Sequence, residues 1–274
     1  MNKLYRIPLA IIILSGIMLS LFSCWDDVPY REAEYPEQLI YMPTAYHNNG
    51  QRVINDINRI RGELPIEGNP YKYVLDLEKR EFRVPLAVYR SGINNDGAFT
   101  VNISVNTDTI ATINEKRTDK YVVIPSDKYS LVNTVEMKDG EEIAKFDLIV
   151  DLDFLRDNFP DKLYAIGVNI SSDQRSANPK RSTTIVVIYT NIIKPTANFT
   201  FSFDDADNKE VLFNNTSLMS EKYQWNFGDG SAVSDDRSPS HVYSSKGTYT
   251  VTLTAIGITG NEDKSVKTEV ITIE

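Results

Sequence analysis

The sequence predicts an all-β protein, two immunoglobulin-like β-sandwiches in tandem, and three observations carry that expectation. Apolar and polar residues alternate over short stretches such as Phe82, Val84, Leu86 and Val88, the period of a strand with one buried face. Turn-forming Gly, Asn and Asp residues separate these stretches, and few segments show helical spacing. A proline break at Ile193-Lys194-Pro195-Thr196 then divides the pattern, leaving about 80 residues for the second sandwich.

The N-terminus differs from all that follows. Lys3 and Arg6 precede an apolar run from Ile7 to Leu21. That run is roughly 15 residues long, short of the about 20 a spanning helix needs, and it reads as a secretion signal over residues 1–23. Leu21-Phe22-Ser23-Cys24 resembles the bacterial lipobox, in which the cysteine receives the lipid. Each buried methylene of such an anchor contributes about 0.8 kcal/mol of membrane affinity, so two or three chains hold where one is marginal. Cys24 is the only cysteine of the chain, and the chain can form no internal disulfide.

Residues 24–37 read as an acidic, extended tether carrying Asp26, Asp27, Pro29, Glu32, Glu34 and Pro36. Acidic residues directly after the cysteine resemble the signal that sends lipoproteins of Bacteroidetes-type bacteria to the outer face of the outer membrane. The expected location is that membrane, with the protein facing outward. The formal net charge is -9, and removing Lys3 and Arg6 with the signal takes it to -11. With 29 Lys and Arg against 38 Asp and Glu, nucleic acid is excluded as a partner and the lipid alone must supply anchoring.

The first sandwich is expected over residues 38–193, as an antiparallel structure. The alternation of Phe82 to Val88 resumes at Phe99, Val101, Ile103 and Val105 after Asn94-Asn95-Asp96-Gly97, which reads as a hairpin. Further strands fall at Ile143 to Val150, Tyr164 to Ile170 and Thr184 to Tyr189. The last is nearly continuous in apolar residues, as a strand covered on both faces would be. A short helix is expected at Asp153 to Asp157, capped by Asp153 and ended by Pro160. Tyr41-Met42-Pro43, Val88-Tyr89-Arg90-Ser91-Gly92, Ile124-Pro125-Ser126-Asp127-Lys128-Tyr129 and Tyr164-Ala165-Ile166 occur in that order. Over residues 35 to 193 they resemble an N-terminal domain of unknown function common in Bacteroidetes surface lipoproteins.

The second sandwich is expected over residues 196–274. Tyr223-Gln224-Trp225-Asn226-Phe227-Gly228-Asp229-Gly230, Ser238-Pro239, His241-Val242-Tyr243 and Gly247-Thr248-Tyr249-Thr250-Val251 resemble a PKD (polycystic kidney disease) repeat. Trp225 and Phe227 fall on one face of a strand, with Trp225 as the core anchor. Gly228 and Gly230 flank Asp229 in a turn that needs positive φ, and Tyr249, Val251 and Leu253 are expected to supply the facing layer.

The titratable residues offer few candidates for chemistry. His241, inside the repeat, is expected to make a structural hydrogen bond, and His47 lies in a loop with no nucleophile motif nearby. Asp151 and Asp153 sit too close in sequence to flank a sugar ring, so capping and solvation explain them. Asp204, Asp205 and Asp207 form the strongest calcium candidate, but without the spacing of a calcium loop they read as a hairpin tip. Tyr41, Tyr46, Tyr71 and Tyr73 flank the polar segment from His47 to Asn69; core or strand-edge packing is the favoured reading, and ligand contact is the alternative that makes them candidate site residues.

No cofactor and no catalytic residue is expected. The resemblance implies a non-catalytic outer-surface lipoprotein that binds or displays extracellular polysaccharide. A spacer or protein-interaction module of a surface complex, and a cryptic glycoside hydrolase, stand as alternatives.

Overall fold

A computed structural model describes residues 37–45, 54–60, 71–158, 162–204 and 209–274. The signal segment, Cys24, the tether through Pro36, and Tyr46, His47, Pro160, Asp205 and Asp207 lie outside the described residues. In chain order the first sandwich contains β1 (Leu39–Tyr41), β2 (Ile54–Ile57), β3 (Val74–Asp76), β4 (Glu81–Arg90), β5 (Phe99–Val105), helix α1 (Asp108–Asn114), β6 (Val122–Val123), β7 (Tyr129–Leu131), β8 (Thr134–Met137), β9 (Ile143–Asp151), helix α2 (Leu152–Asp157), β10 (Leu163–Ser171), β11 (Ser176–Ala177) and β12 (Thr183–Tyr189). The second contains β13 (Phe199–Phe203), β14 (Glu210–Asn215), β15 (Lys222–Asn226), β16 (Ser240–Val242), β17 (Gly247–Gly257) and β18 (Gly260–Ile273).

One sheet of the first sandwich runs β11-β1-β4-β9-β7 with β3 also on β4; the other runs β2-β12-β10-β5-β8 with β6 also on β10. The expected hairpin does not form. β4 pairs with β9, whereas β5 pairs with β10 and β8, so the Asn94–Gly97 segment carries the chain from one sheet to the other. Arg90 is buried and secures this crossing by donating to the carbonyls of Asp96, Gly97 and Lys138 at 3.0, 3.0 and 2.5 Å. The sandwich is not purely antiparallel either: β1 with β11, β10 with β6 and β12 with β2 are parallel pairs.

Between the sheets lies a core containing Phe82, Leu86, Leu148, Ile166, Val186 and Ile188. β12 is covered on both faces. Val186 and Ile188 enter this core, while Ile185 and Val187 join Ile110 of α1 and Tyr121 in a second cluster on the other side. Helix α2 starts one residue earlier than expected because the Asp151 carboxylate, at the end of β9, accepts the Phe154 amide at 3.0 Å. Asp151, not Asp153, is the cap.

The second sandwich packs β13-β14-β16 against β15-β17-β18. Trp225 is fully buried, with Phe199 at 5.0 Å and Phe213 at 5.3 Å between ring centres, and its Nε1 donates to the Asp236 carbonyl at 3.0 Å. The layer facing Trp225 is therefore Phe199, Val211 and Phe213. Leu253 is the direct cross-strand partner of Trp225 in the same sheet, so Val251 and Leu253 extend its layer instead of opposing it.

Gly228 and Gly230 both take φ of +82°. At Gly228 a Cβ would also sit 2.5 Å from the Thr250 carbonyl oxygen, so only glycine fits. At the edge of this sheet β18 turns Lys267 and Glu269 toward the core side, opposite Leu253 and Val251, and the two charges pair at 2.7 Å.

Candidate functional site

The two sandwiches meet along a joint built from three segments. The turn between β3 and β4 ends on Arg80, which holds φ +59°, a conformation uncommon for a residue with a Cβ. Its carbonyl accepts the Leu152 amide at 2.9 Å, which fixes the turn against the start of α2. The third segment is the β17–β18 hairpin of the second sandwich, where Ile258 packs on the first sandwich's core together with Met219.

Charge closes the joint. Arg80 donates to Asp153 at 2.6 and 3.2 Å and to both carboxylate oxygens of Glu262 at 3.0 Å. Arg156 of α2 lies 3.2 Å from Glu262 and reaches Asp263 through Nε at 3.0 Å and Nη2 at 3.3 Å. Asp263 is buried and also accepts from the Thr259 hydroxyl. Arg80 hydrogen bonding holds the Asp153 carboxyl below its ordinary range, against a smaller opposing effect of burial. The long-range pairings across this joint were not signalled in the sequence, because residues such as Arg80 and Glu262 are 182 apart.

Beside the charged joint is an open groove of about 280 Å³ lined by Tyr71, Tyr73, Val74, Leu75, Glu221 and Ile258. Both sandwiches contribute to it. Tyr71 exposes 41% of its surface and Val74 exposes 50%. Tyr73, the second candidate tyrosine here, is largely core, its ring stacked on Phe82 at 4.7 Å and 16° while it also lines the groove. Tyr41 is elsewhere, half-buried against Tyr89 at 5.7 Å with the Arg181 guanidinium 5.6 Å from its ring centre. Of the candidate tyrosines among the described residues, the groove holds Tyr71 and Tyr73.

The remaining candidates among the described residues are engaged in structure. His241 Nε2 lies 2.8 Å from Asp229 Oδ2, and its ring stacks on Phe227 at 4.0 Å. Burial would raise the Asp229 carboxyl, but hydrogen bonds from Ser231 and His241 outweigh it and hold the group at about 2. The Tyr243 hydroxyl donates to the Phe227 carbonyl at 3.0 Å, and Tyr249 donates to the Ser245 carbonyl at 2.8 Å. Asp204 follows β13, its amide donating to the Glu210 carbonyl at 3.0 Å. A more polar cleft of about 410 Å³ includes Lys79, Arg80, Lys128, Asp151 and Asp153, and Lys128 pairs with Asp151 there at 3.3 Å.

Comparison with known proteins assigns both halves. A family model for an N-terminal domain matches residues 37–177, just over half of the chain. The chain belongs to the family defined by that domain. Residues 193–273 match the PKD domain model, so this member joins the N-terminal domain to a PKD domain.

The PKD domain is similar to the PKD1 domain of Vibrio anguillarum Epp, at 30% identity over 30% of this chain and 94% of that one, with a TM-score of 0.27. A two-domain protein of unknown function from Bacteroides fragilis is 11% identical, covering 98% of this chain and 100% of the other at a TM-score of 0.39. Collagenase ColA of Bacillus cereus is 45% identical over 62 residues, 21% of this chain; the match spans 6% of the collagenase.

Proposed function

We propose that this family member is a non-catalytic lipoprotein, held in the outer membrane through acylated Cys24 and facing outward, that binds or displays extracellular polysaccharide. The observation that carries the binding reading is Tyr71, an aromatic ring 41% exposed at a groove that Tyr73, Val74, Leu75, Glu221 and Ile258 also line. A sugar ring offers an apolar face of C–H groups, which an exposed tyrosine ring can meet. The non-catalytic reading is supported by how the candidate acid–base groups are used. His241 is committed to Asp229 and Phe227, Asp151 to a helix cap, and Asp153 to two arginines.

Affinity electrophoresis of the soluble 25–274 fragment through gels containing neutral polysaccharides tests the proposal. Retardation by at least one is expected; migration unchanged in all of them defeats the polysaccharide reading, and release of reducing sugar defeats the non-catalytic one.

The ion-pair network at the joint favours a second reading, a stiff spacer that positions another surface component. In that case the fragment passes the gels unretarded yet unfolds as a single cooperative unit.

A further inference from the structure

We infer that the outer edge of β13 in the PKD domain is a self-association surface, on which a second copy of this chain adds its own β13 antiparallel, centred on Phe201. The inference stands apart from the polysaccharide reading and uses none of the groove residues.

The PKD sandwich has four edge strands, β13 and β16 in one sheet and β15 and β18 in the other. Three of them carry a feature that discourages a further strand. β15 is closed by Ser234, which exchanges both backbone hydrogen bonds with Trp225 at 2.8 and 3.1 Å. β16 is three residues long, and β18 turns Lys267 and Glu269 toward the core side. β13 carries neither a charge nor a proline from Phe199 to Phe203, and no described strand pairs with its outer edge.

The open backbone groups belong to the aromatic residues. Thr196 and Leu218 exchange both hydrogen bonds at 2.9 Å, the Thr216 amide donates to the Asn198 carbonyl at 2.9 Å, and the Asp204 amide donates to the Glu210 carbonyl at 3.0 Å. Even-numbered residues thus bond toward β14. In an antiparallel ladder the odd-numbered ones, Phe199, Phe201 and Phe203, then direct N–H and C=O the other way. At Ala197 that side is taken, since its amide donates to the Ser265 hydroxyl at 2.9 Å. From Phe199 onward it is open among the described residues.

The occupant follows because the strand matches itself. Phe199-Thr200-Phe201-Ser202-Phe203 reads the same in residue class from either end. Antiparallel pairing about Phe201 sets Phe201 against Phe201, Phe199 against Phe203 and Thr200 against Ser202. Rings meet rings on one face and hydroxyls meet hydroxyls on the other, the cross-strand pairs that stabilise a sheet. Beyond them Asp204 falls opposite Asn198, so no like charges face each other across the seam. Each facing phenylalanine pair exchanges both backbone hydrogen bonds. Phe201 and Phe203 are each 37% exposed, with ring centres 6.0 Å apart, and the second strand covers both. The contact closes on a two-fold axis, which gives a dimer and not a filament.

The 25–274 fragment contains no cysteine, which permits a direct test of this register. Facing residues of a hydrogen-bonded pair have Cα atoms about 5.5 Å apart, within disulfide reach, so Phe201→Cys is expected to give a disulfide-linked dimer on mild oxidation. Phe203→Cys lies on the same strand and face but four positions from its counterpart, about 14 Å, and is expected to stay monomeric. Sedimentation equilibrium of the unaltered fragment is expected to show dimer increasing with concentration. Phe201→Lys sets two ammonium groups together at the axis and is expected to weaken the dimer about tenfold or more. A thermal melt checks that this variant is folded, and the cysteine pair reads the register whatever that melt shows.

An unaltered fragment that stays monomeric up to about 1 mM overturns the proposal, as does equal disulfide yield from Phe201→Cys and Phe203→Cys. A dimer undiminished in folded Phe201→Lys places the contact elsewhere and overturns it too. A foreign strand found on β13 in place of a second copy does the same.

Discussion

Arg156 grips Asp263 through two hydrogen bonds, Nε to Oδ2 at 3.0 Å and Nη2 to Oδ1 at 3.3 Å, joining residues 107 apart in sequence. The Asp263 side chain is 6% exposed, whereas that of Glu262, bound by the same arginine, is 43% exposed. Removing the arginine leaves a buried carboxylate whose remaining donor among the described residues is the Thr259 hydroxyl. Arg156→Ala is therefore expected to cost about 3 kcal/mol, and Glu262→Ala no more than about 1 kcal/mol. Urea unfolding of both variants at neutral pH checks this, and equal losses would contradict the ranking.

Trp225 anchors the PKD core between Phe199 and Phe213. Trp225→Ala is expected to lose about 3–5 kcal/mol, enough to unfold a domain of this size. Loss of amide protection confined to β13 through β18 is the signature; protection lost throughout the chain would mean that the first sandwich cannot stand without the second.

Acid should loosen the PKD domain first at Asp229. Its carboxyl is held at about 2 in the folded chain, below the about 3.9 of an unfolded aspartate, so the folded state is favoured fully above the unfolded value. That contribution fades as pH falls from about 4 toward 2. Asp229→Asn should be less stable at neutral pH and show a shallower decline over that window. An unaltered slope in thermal melts at stepped pH would count against this role.

Gly228→Ala forces a side chain toward the Thr250 backbone at positive φ. A loss of about 1–3 kcal/mol is expected, seen as a lower midpoint with an unchanged urea slope. Gly230→Ala shares the φ but meets no atom within 4 Å, so it should lose less.

Lipidation is checked by feeding cells labelled palmitate. Label should follow the unaltered chain and be lost from Cys24→Ala, and equal labelling of the two would refute the anchor.

The longer strands β4, β5, β9, β10 and β12 were legible because period-two alternation and apolar runs are local properties, and Trp225 with the Gly228–Gly230 turn was legible because a tight turn restricts residue type locally. Sheet membership was not. Asn94-Asn95-Asp96-Gly97 has the composition of a hairpin turn, but whether a turn pairs its flanking strands depends on β9 and β10, which compete for β4 and β5 from far along the chain. Tyr73 illustrates the same limit: a tyrosine beside a polar segment can be core or contact, and only the Phe82 ring stacked on it decides. The clamp left no trace at all, since single arginines and carboxylates on a charged surface carry no pattern until the fold brings them together.

The pair Lys267 and Glu269, turned toward the core side of β18, bears on how such chains tolerate company. A sheet edge that ends in open backbone groups invites a neighbour's strand, and the invitation grows stronger when many copies crowd together. Docking a foreign strand along β18 would strand those two charges under a second layer of protein. The pair thus disfavours strand addition at these two positions of β18.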